Sequence, residues 1–222
     1  MGKNKLARFE ENLSFANLFQ FPATIQPWQA PLWGKWKSDY YGNESPLVLE
    51  IGCGRGDYTV GLAKLYPQKN FVGLDIKGAR LWRGCKTATE DHMPNVAFVR
   101  TRAEFIDRVF APGEVSEIWI TFPDPQPSKP NKRLCSPAFL ERYRRILPEG
   151  KGVVHLKTDD TDLYEYCLNE VVLPAAYPIL RNTPDLYGSA EDMGEASQVQ
   201  TAYEKRWLAE GRKIKYLCFK LT

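Results

Sequence analysis

Glycines at 52, 54 and 56 stand directly behind the apolar run Leu47–Ile51, and Glu50 lies just ahead of them. Glycine lets a backbone turn tightly and approach a ligand with no Cβ in the way. In a doubly wound sheet, a turn of this kind at the carboxyl end of a strand is where a ligand binds. The spacing is G-x-G-x-G, not the G-x-G-x-x-G that cradles a dinucleotide pyrophosphate. A carboxylate at Glu50 would repel a pyrophosphate but suits a cation such as the methionine part of S-adenosylmethionine. Asp75 follows about 20 residues later at the end of a second apolar run, placed to accept hydrogen bonds from ribose hydroxyls. Glu50, Gly52, Gly54 and Asp75 are therefore the expected cofactor contacts of this half. Arg102 falls after a third apolar run, where an adenine ring would rest or where a helix simply begins.

A second constellation runs from Thr121 to Arg133. Pro123 and Pro125 flank Asp124, fix the backbone on both sides of it and hold the carboxylate at a strand end. Asp before Pro also opens ordinary turns. The sharper reading rests on position, because this loop would face the transferable methyl group. Lys129, Lys132 and Arg133 come immediately after it, which fits phosphate contacts around a base-reading carboxylate. Farther on, Asp159 ends an apolar run and is placed to cap a helix. Thr201-x-x-Glu204 has the spacing of a capping box.

The elements that must hold these residues alternate along the chain. Short apolar runs at 47–51, 70–74, 96–100, 117–122 and 152–156 predict strands. Amphipathic stretches at 57–66, 78–90, 103–109, 136–147 and 160–172 predict helices between them. That alternation implies a parallel sheet covered on both faces. After Pro174 a strand at 177–181, a polar loop at 188–198, a helix within 197–210 and a closing strand at 214–221 suggest an antiparallel edge. Residues 1–45 carry Trp28, Trp33 and Trp36 with little periodicity and are expected to form an extended arm on a domain spanning 46–222.

Composition narrows the class further. With 43% hydrophobic and 26% charged residues the chain is an ordinary globular sequence. No apolar run approaches the roughly 20 residues that span a bilayer, so a cytoplasmic protein with no membrane partner is expected. The five cysteines are scattered, with no C-x-x-C pair and only two histidines, so neither a disulfide framework nor a metal is expected. The net charge of +3 moves little by itself. Local clusters such as Arg142, Arg144 and Arg145 say more about a polyanionic partner.

Taken in order, Glu50-Ile-Gly, Val72-Gly-Leu-Asp75, Phe122-Pro-Asp-Pro125 with its cations, Leu156-Lys-Thr-Asp159 and Thr201-Ala-Tyr-Glu204 resemble the bacterial tRNA (guanine-N7-)-methyltransferase family over residues 46–221. The resemblance implies a Rossmann-like α/β fold with a mainly parallel seven-stranded sheet and an antiparallel edge strand. It implies S-adenosylmethionine as methyl donor and a guanosine of the tRNA variable loop as acceptor, with no obligate protein partner evident. By the same resemblance the cofactor contacts are Glu50, Asp75, Arg102 and Asp124, and the substrate contacts are Asp159 and Thr201, Ala202, Tyr203 and Glu204. Asp124 would be the catalytic residue, orienting the base. Three positions depart from the family pattern. Gln126 stands where the family often has Trp. The family's substrate-contacting Lys falls on Ser128, with Lys129 one place later. Arg102 replaces an acidic residue. The other readings are a small-molecule methyltransferase and a non-catalytic RNA-binding protein keeping the same fold.

Overall fold

The computed structural model describes residues 3–22 and 24–222, with side chains from Leu6 onward. Lys3 and Lys5, part of the N-terminal basic cluster, lie outside the described side chains.

The chain alternates as the apolar runs predict. Ahead of the glycine turn at 52–56 come α1 (Lys3–Glu11), β1 (Leu18–Gln20) and β2 (Leu47–Ile51). Then follow α2 (Asp57–Leu65), β3 (Asn70–Asp75), α3 (Gly78–Glu90), β4 (Val96–Arg100), α4 (Ile106–Val109) and β5 (Glu117–Thr121). The second half holds α5 (Pro137–Arg144), β6 (Gly152–Thr158), α6 (Thr161–Glu165), β7 (Ile179–Thr183), α7 (Glu195–Gln198), α8 (Ala202–Ala209) and β8 (Lys215–Leu221). Every residue of β2 and of β3 is buried. This is why both are mostly apolar with no polar alternation, since strands covered on both faces have no solvent side to alternate with.

The strand order is β1-β4-β3-β2-β5-β6-β8-β7. Strands β1 to β6 are mutually parallel, and β8 runs antiparallel to both β6 and β7. The chain winds outward from β2 through β3 to β4, returns, and winds the other way from β5 to β6. The direction switches between β2 and β5, where a crevice opens at the strands' carboxyl ends. One core lies on the face of Leu47, Leu49 and Ile51 beneath α4, α5 and α6. The other lies on the face of Val48, Tyr58 and Trp119, beneath α2, α3 and the α7–α8 region.

The sheet has eight strands, not the expected seven. The extra one is β1, which pairs parallel with β4 through Leu18↔Phe98. It comes from the segment expected to be an extended arm, which also contributes α1. Three residues at a sheet edge carry no alternation to read. The tryptophans of this segment are anchors. Trp36 is fully buried and its indole N–H donates to the Val109 carbonyl at 3.0 Å. Trp33 donates to the Asp107 carbonyl at 3.1 Å. Glu114 accepts the backbone N–H groups of Gly34 and Trp36, and Arg108 donates to the carbonyls of Gln26 and Ile25. Trp36→Ala is expected to lower the unfolding free energy by about 3–5 kcal/mol, the cost of emptying a buried aromatic site. Urea denaturation of the full chain measures it.

Candidate active site

Alternation along β2 sends Leu49 and Ile51 to one face and Glu50 to the other. The Glu50 carboxylate is 3% exposed and accepts from the Thr59 N–H at 2.8 Å, from the Thr59 hydroxyl and from the Thr121 hydroxyl. One side chain thus joins β2, β5 and the first turn of α2. Burial pushes its carboxyl up, against the pull of those hydrogen bonds, to about 7. The carboxylate lies beneath the glycine turn and does not line the cleft, although its sequence position suggested direct contact with a cationic ligand.

The turn itself has φ of +78° at Gly52, +58° at Gly54 and +74° at Gly56, a region that side-chain-bearing residues rarely adopt. A Cβ at Gly56 would also meet the Phe98 ring at 2.6 Å. Asp75, at the end of β3, holds this turn in place. One carboxylate oxygen accepts from the Gly54 N–H at 2.9 Å and the other from the Lys77 N–H at 2.7 Å.

Above these strand ends lies a cleft of 540 Å³. Of the expected cofactor residues, Gly52, Asp75, Arg102 and Asp124 line it, while Glu50 and Gly54 sit behind. Ile51, Leu74 and Ala103 supply apolar wall. Arg102 is half-exposed and its guanidinium pairs with Glu104 at 2.8 Å. The hydrogen bond from Arg102 holds the Glu104 carboxyl below its usual range, so that wall carries an anion two residues beyond the expected place.

Asp124 is exposed at the mouth, on a loop that departs from relaxed backbone at two points. Phe122 and Gln126 both have φ of +47°. Conformations of this sort cost on the order of 1–3 kcal/mol each and persist only where surrounding contacts impose them. Those contacts are present. The Phe122 N–H donates to the Lys157 carbonyl at 2.8 Å, the Gln126 N–H to Asp124 Oδ1 at 3.2 Å, and Arg133 Nε to the Pro125 carbonyl at 3.0 Å. Arg133 is itself buried, with its guanidinium 4.3 Å from the centre of the Tyr166 ring.

The expected substrate residues are placed less uniformly. Lys129 is exposed and off the cleft, whereas Asn131 and Lys132 line it. Asp159 does not cap α6. That role falls to Asp160, whose Oδ1 accepts the Leu163 N–H at 2.7 Å, and Asp159 instead pairs with Arg212 at 3.0 Å. Thr201 and Glu204 form a full capping box on α8. The Ala202 N–H approaches Asp57 Oδ2 at 3.3 Å, which sets this turn beside the start of α2. Tyr203 is 48% exposed, and Glu204 is completely buried. Lys77, Arg80 and Arg142 also line the cleft and were not singled out as site residues beforehand. Only the basic cluster around Arg142 gave a hint of them.

On the opposite face Glu117, His155 and Glu195 come close enough to share a metal ion. The Glu117 oxygens already have donors, the Trp119 indole on one and Lys69 at 3.1 Å on the other. His155 Nε2 lies 3.2 Å from Glu117. Burial lowers the imidazole's proton affinity, but contacts with Cys218 and Glu117 outweigh it and raise it to about 9. Within this trio Glu117 and His155 form a buried ion pair. A histidine raised in the folded state stabilises fully below its unfolded value near 6.5, and that contribution is lost as pH rises through about 9. Glu50, a raised carboxyl, works in the same direction, losing its contribution as pH rises through about 7. Thermal stability is expected to fall from about pH 4.5 to about pH 9, through Glu50 up to about 7 and through His155 from about 6.5 upward. Glu50→Gln should flatten the lower part of that fall and His155→Gln the upper part, as read from melting temperature against pH.

A mostly parallel sheet that switches direction at a glycine turn, with an acid at the next strand end, is the architecture of a class I methyltransferase. Solved structures agree on the fold. An antibiotic-related methyltransferase superposes with a TM-score of 0.61 at 19% identity, covering 82% of this chain and 90% of that one. A 16S rRNA methyltransferase gives 0.59 at 15% identity, covering 89% and 95%. A family model described as a putative methyltransferase matches residues 44–217. A curated tRNA (guanine-N(7)-)-methyltransferase of Porphyromonas gingivalis is 49% identical over 94% of this chain and 86% of its own length. Another of the same name from Bacteroides thetaiotaomicron is 45% identical over 100% and 87%. The chain belongs to the tRNA (guanine-N(7)-)-methyltransferase family.

Proposed function

We propose that this chain transfers a methyl group from S-adenosylmethionine to N7 of a guanosine in the variable loop of tRNA. The observation that carries the reading is one cleft at the switch point, where the glycine turn after β2 and the Asp124 loop after β5 face each other. The names of the relatives supply the acceptor.

The residues present suit the donor. Asp75 offers a carboxylate where ribose hydroxyls would lie, and Gly52 leaves backbone accessible at the cleft floor. Ile51, Leu74 and Ala103 offer an apolar surface for the adenine, with Arg102 and Glu104 at its edge. When bound, S-adenosylmethionine supplies an electrophilic methyl on a sulfonium sulfur. Glu50 contributes from below, by fixing the turn and the start of α2.

Guanine N7 is an unprotonated acceptor on the base edge and needs no group to remove a proton. The protein's task is then alignment, plus tolerance of the positive charge that develops on the ring. Asp124 serves both by accepting hydrogen bonds from N1–H and the exocyclic amine. Those donors become more acidic as the ring gains charge, so the contact strengthens on the way to the transition state. Lys77, Arg80, Lys132 and Arg142 give the cleft a cationic rim suited to phosphates near the target base. Lys129 lies outside that rim, on the exposed side of the loop, where a phosphate farther along the RNA is within its reach.

Incubation of the protein with unmodified tRNA and labelled S-adenosylmethionine, followed by nucleoside analysis, should yield 7-methylguanosine. Asp124→Asn is expected to lower kcat by about a hundredfold or more, the usual effect of removing one charge-stabilising group, with donor affinity changed far less. Wild-type turnover in that variant would remove Asp124 from the mechanism.

A further inference from the structure

We propose that Lys157 is the positioning residue for the tRNA-facing turn at 199–204, acting through Glu204. This rests on reading Thr201 to Tyr203 as substrate contacts.

Lys157 lies in β6 with its side chain fully buried. Its ammonium meets Glu204 Oε1 at 2.7 Å, the Ala196 carbonyl at 2.6 Å and the Val199 carbonyl at 2.9 Å. An ammonium has three donors and no acceptor, so this group is saturated by three partners on a single segment. Glu204 is equally committed. Oε1 also accepts the Tyr187 hydroxyl at 2.7 Å, and Oε2 accepts the Thr201 N–H at 3.2 Å. With both oxygens engaged and no exposure, Glu204 has nothing left to offer RNA. What it determines is where Thr201, Ala202 and Tyr203 stand.

Stability alone does not account for the arrangement. A buried ion pair loses in desolvation much of what it gains in attraction, and a well-packed apolar pair of similar volume is often as stable or more so. What an apolar pair lacks is direction. Three hydrogen bonds from one ammonium fix residues 196, 199 and 204 in register on β6, whereas greasy contacts would tolerate slippage. The same residue reaches the other wall of the site through its backbone, because its carbonyl accepts the Phe122 N–H that opens the Asp124 loop. Lys157 therefore sets the tRNA-facing turn and the catalytic loop from one strand position. Asp159, two residues farther along, completes that edge of the site through its pair with Arg212.

The test uses the full chain and separates three quantities: melting temperature, affinity for S-adenosylmethionine by calorimetry, and KM for unmodified tRNA. The double variant Lys157→Met/Glu204→Leu removes both charges together. It is expected to stay folded and to hold its donor affinity, while KM for tRNA rises about tenfold. Glu204→Gln, which keeps the volume and an acceptor for Lys157, should give a smaller rise in the same quantity and covers the case in which the double variant fails to fold. Tyr203→Ala, on the surface, tests the underlying reading separately. If Tyr203→Ala raises KM while both pair variants leave it at the wild-type value, Lys157 has no positioning role. If Tyr203→Ala and Thr201→Ala both leave KM unchanged, the turn does not meet tRNA and the proposal falls with that reading.

Discussion

Burying a carboxyl group at the switch point is the constraint around which the rest is arranged. Glu50 is removed from water in the middle of a parallel sheet, where an unsatisfied acid would be costly. Its needs are met by one helix turn and one neighbouring strand, Thr59 and Thr121. Meeting them brings the start of α2 against the end of β5 and so fixes the width of the opening between the two halves of the sheet. The glycine turn above it takes its shape from the strands on either side and from left-handed backbone at Gly52, Gly54 and Gly56. Asp75 completes the hold from the next strand. Two buried acids thus hold the glycine turn beside the cleft.

The opposite wall works by another principle. Asp124 stands in water on a loop with two strained residues, and the strain is offset by partners outside the loop. Arg133 is buried against the Pro125 carbonyl and the face of Tyr166, so one of the cations following Asp124 is an internal brace. Gln126 fits the same picture. At a left-handed position its backbone N–H turns back onto Asp124, whatever its side chain does. Charge that looks like a single basic cluster along the chain is therefore divided in space between bracing and display.

Much of this was legible beforehand, for identifiable reasons. Strands β2 to β6 could be placed because burial on both faces leaves an unbroken apolar run. Gly52, Asp75 and Asp124 share one cleft because strand ends in a parallel sheet lie along one edge, which their positions in the sequence already imply. Elsewhere spacing underdetermines direction. Neighbouring acids at 159 and 160 are indistinguishable as caps until the helix phase is known, and the cap is Asp160. Glu50 was placed on the right strand, yet whether its carboxylate rises into the cleft or sinks beneath it depends on Thr59 and Thr121, which are distant in the chain. β1 was invisible because its only partner, β4, lies some eighty residues away along the chain and the strand has three residues. Lys157 lies within the Leu156–Asp159 motif, but nothing local reveals that a lysine will be completely buried.

The position of β8 has a consequence for how the molecule comes into being. It lies between β6 and β7, running antiparallel to both, and it is the last strand in sequence. Until residues 215–221 have been synthesised, β6 presents an unpaired edge and β7 has no sheet to join. An open edge beside apolar side chains invites pairing with other chains. During translation, then, the half of the sheet from β1 to β5 can close early, whereas β6 keeps an open edge until residues 215–221 arrive.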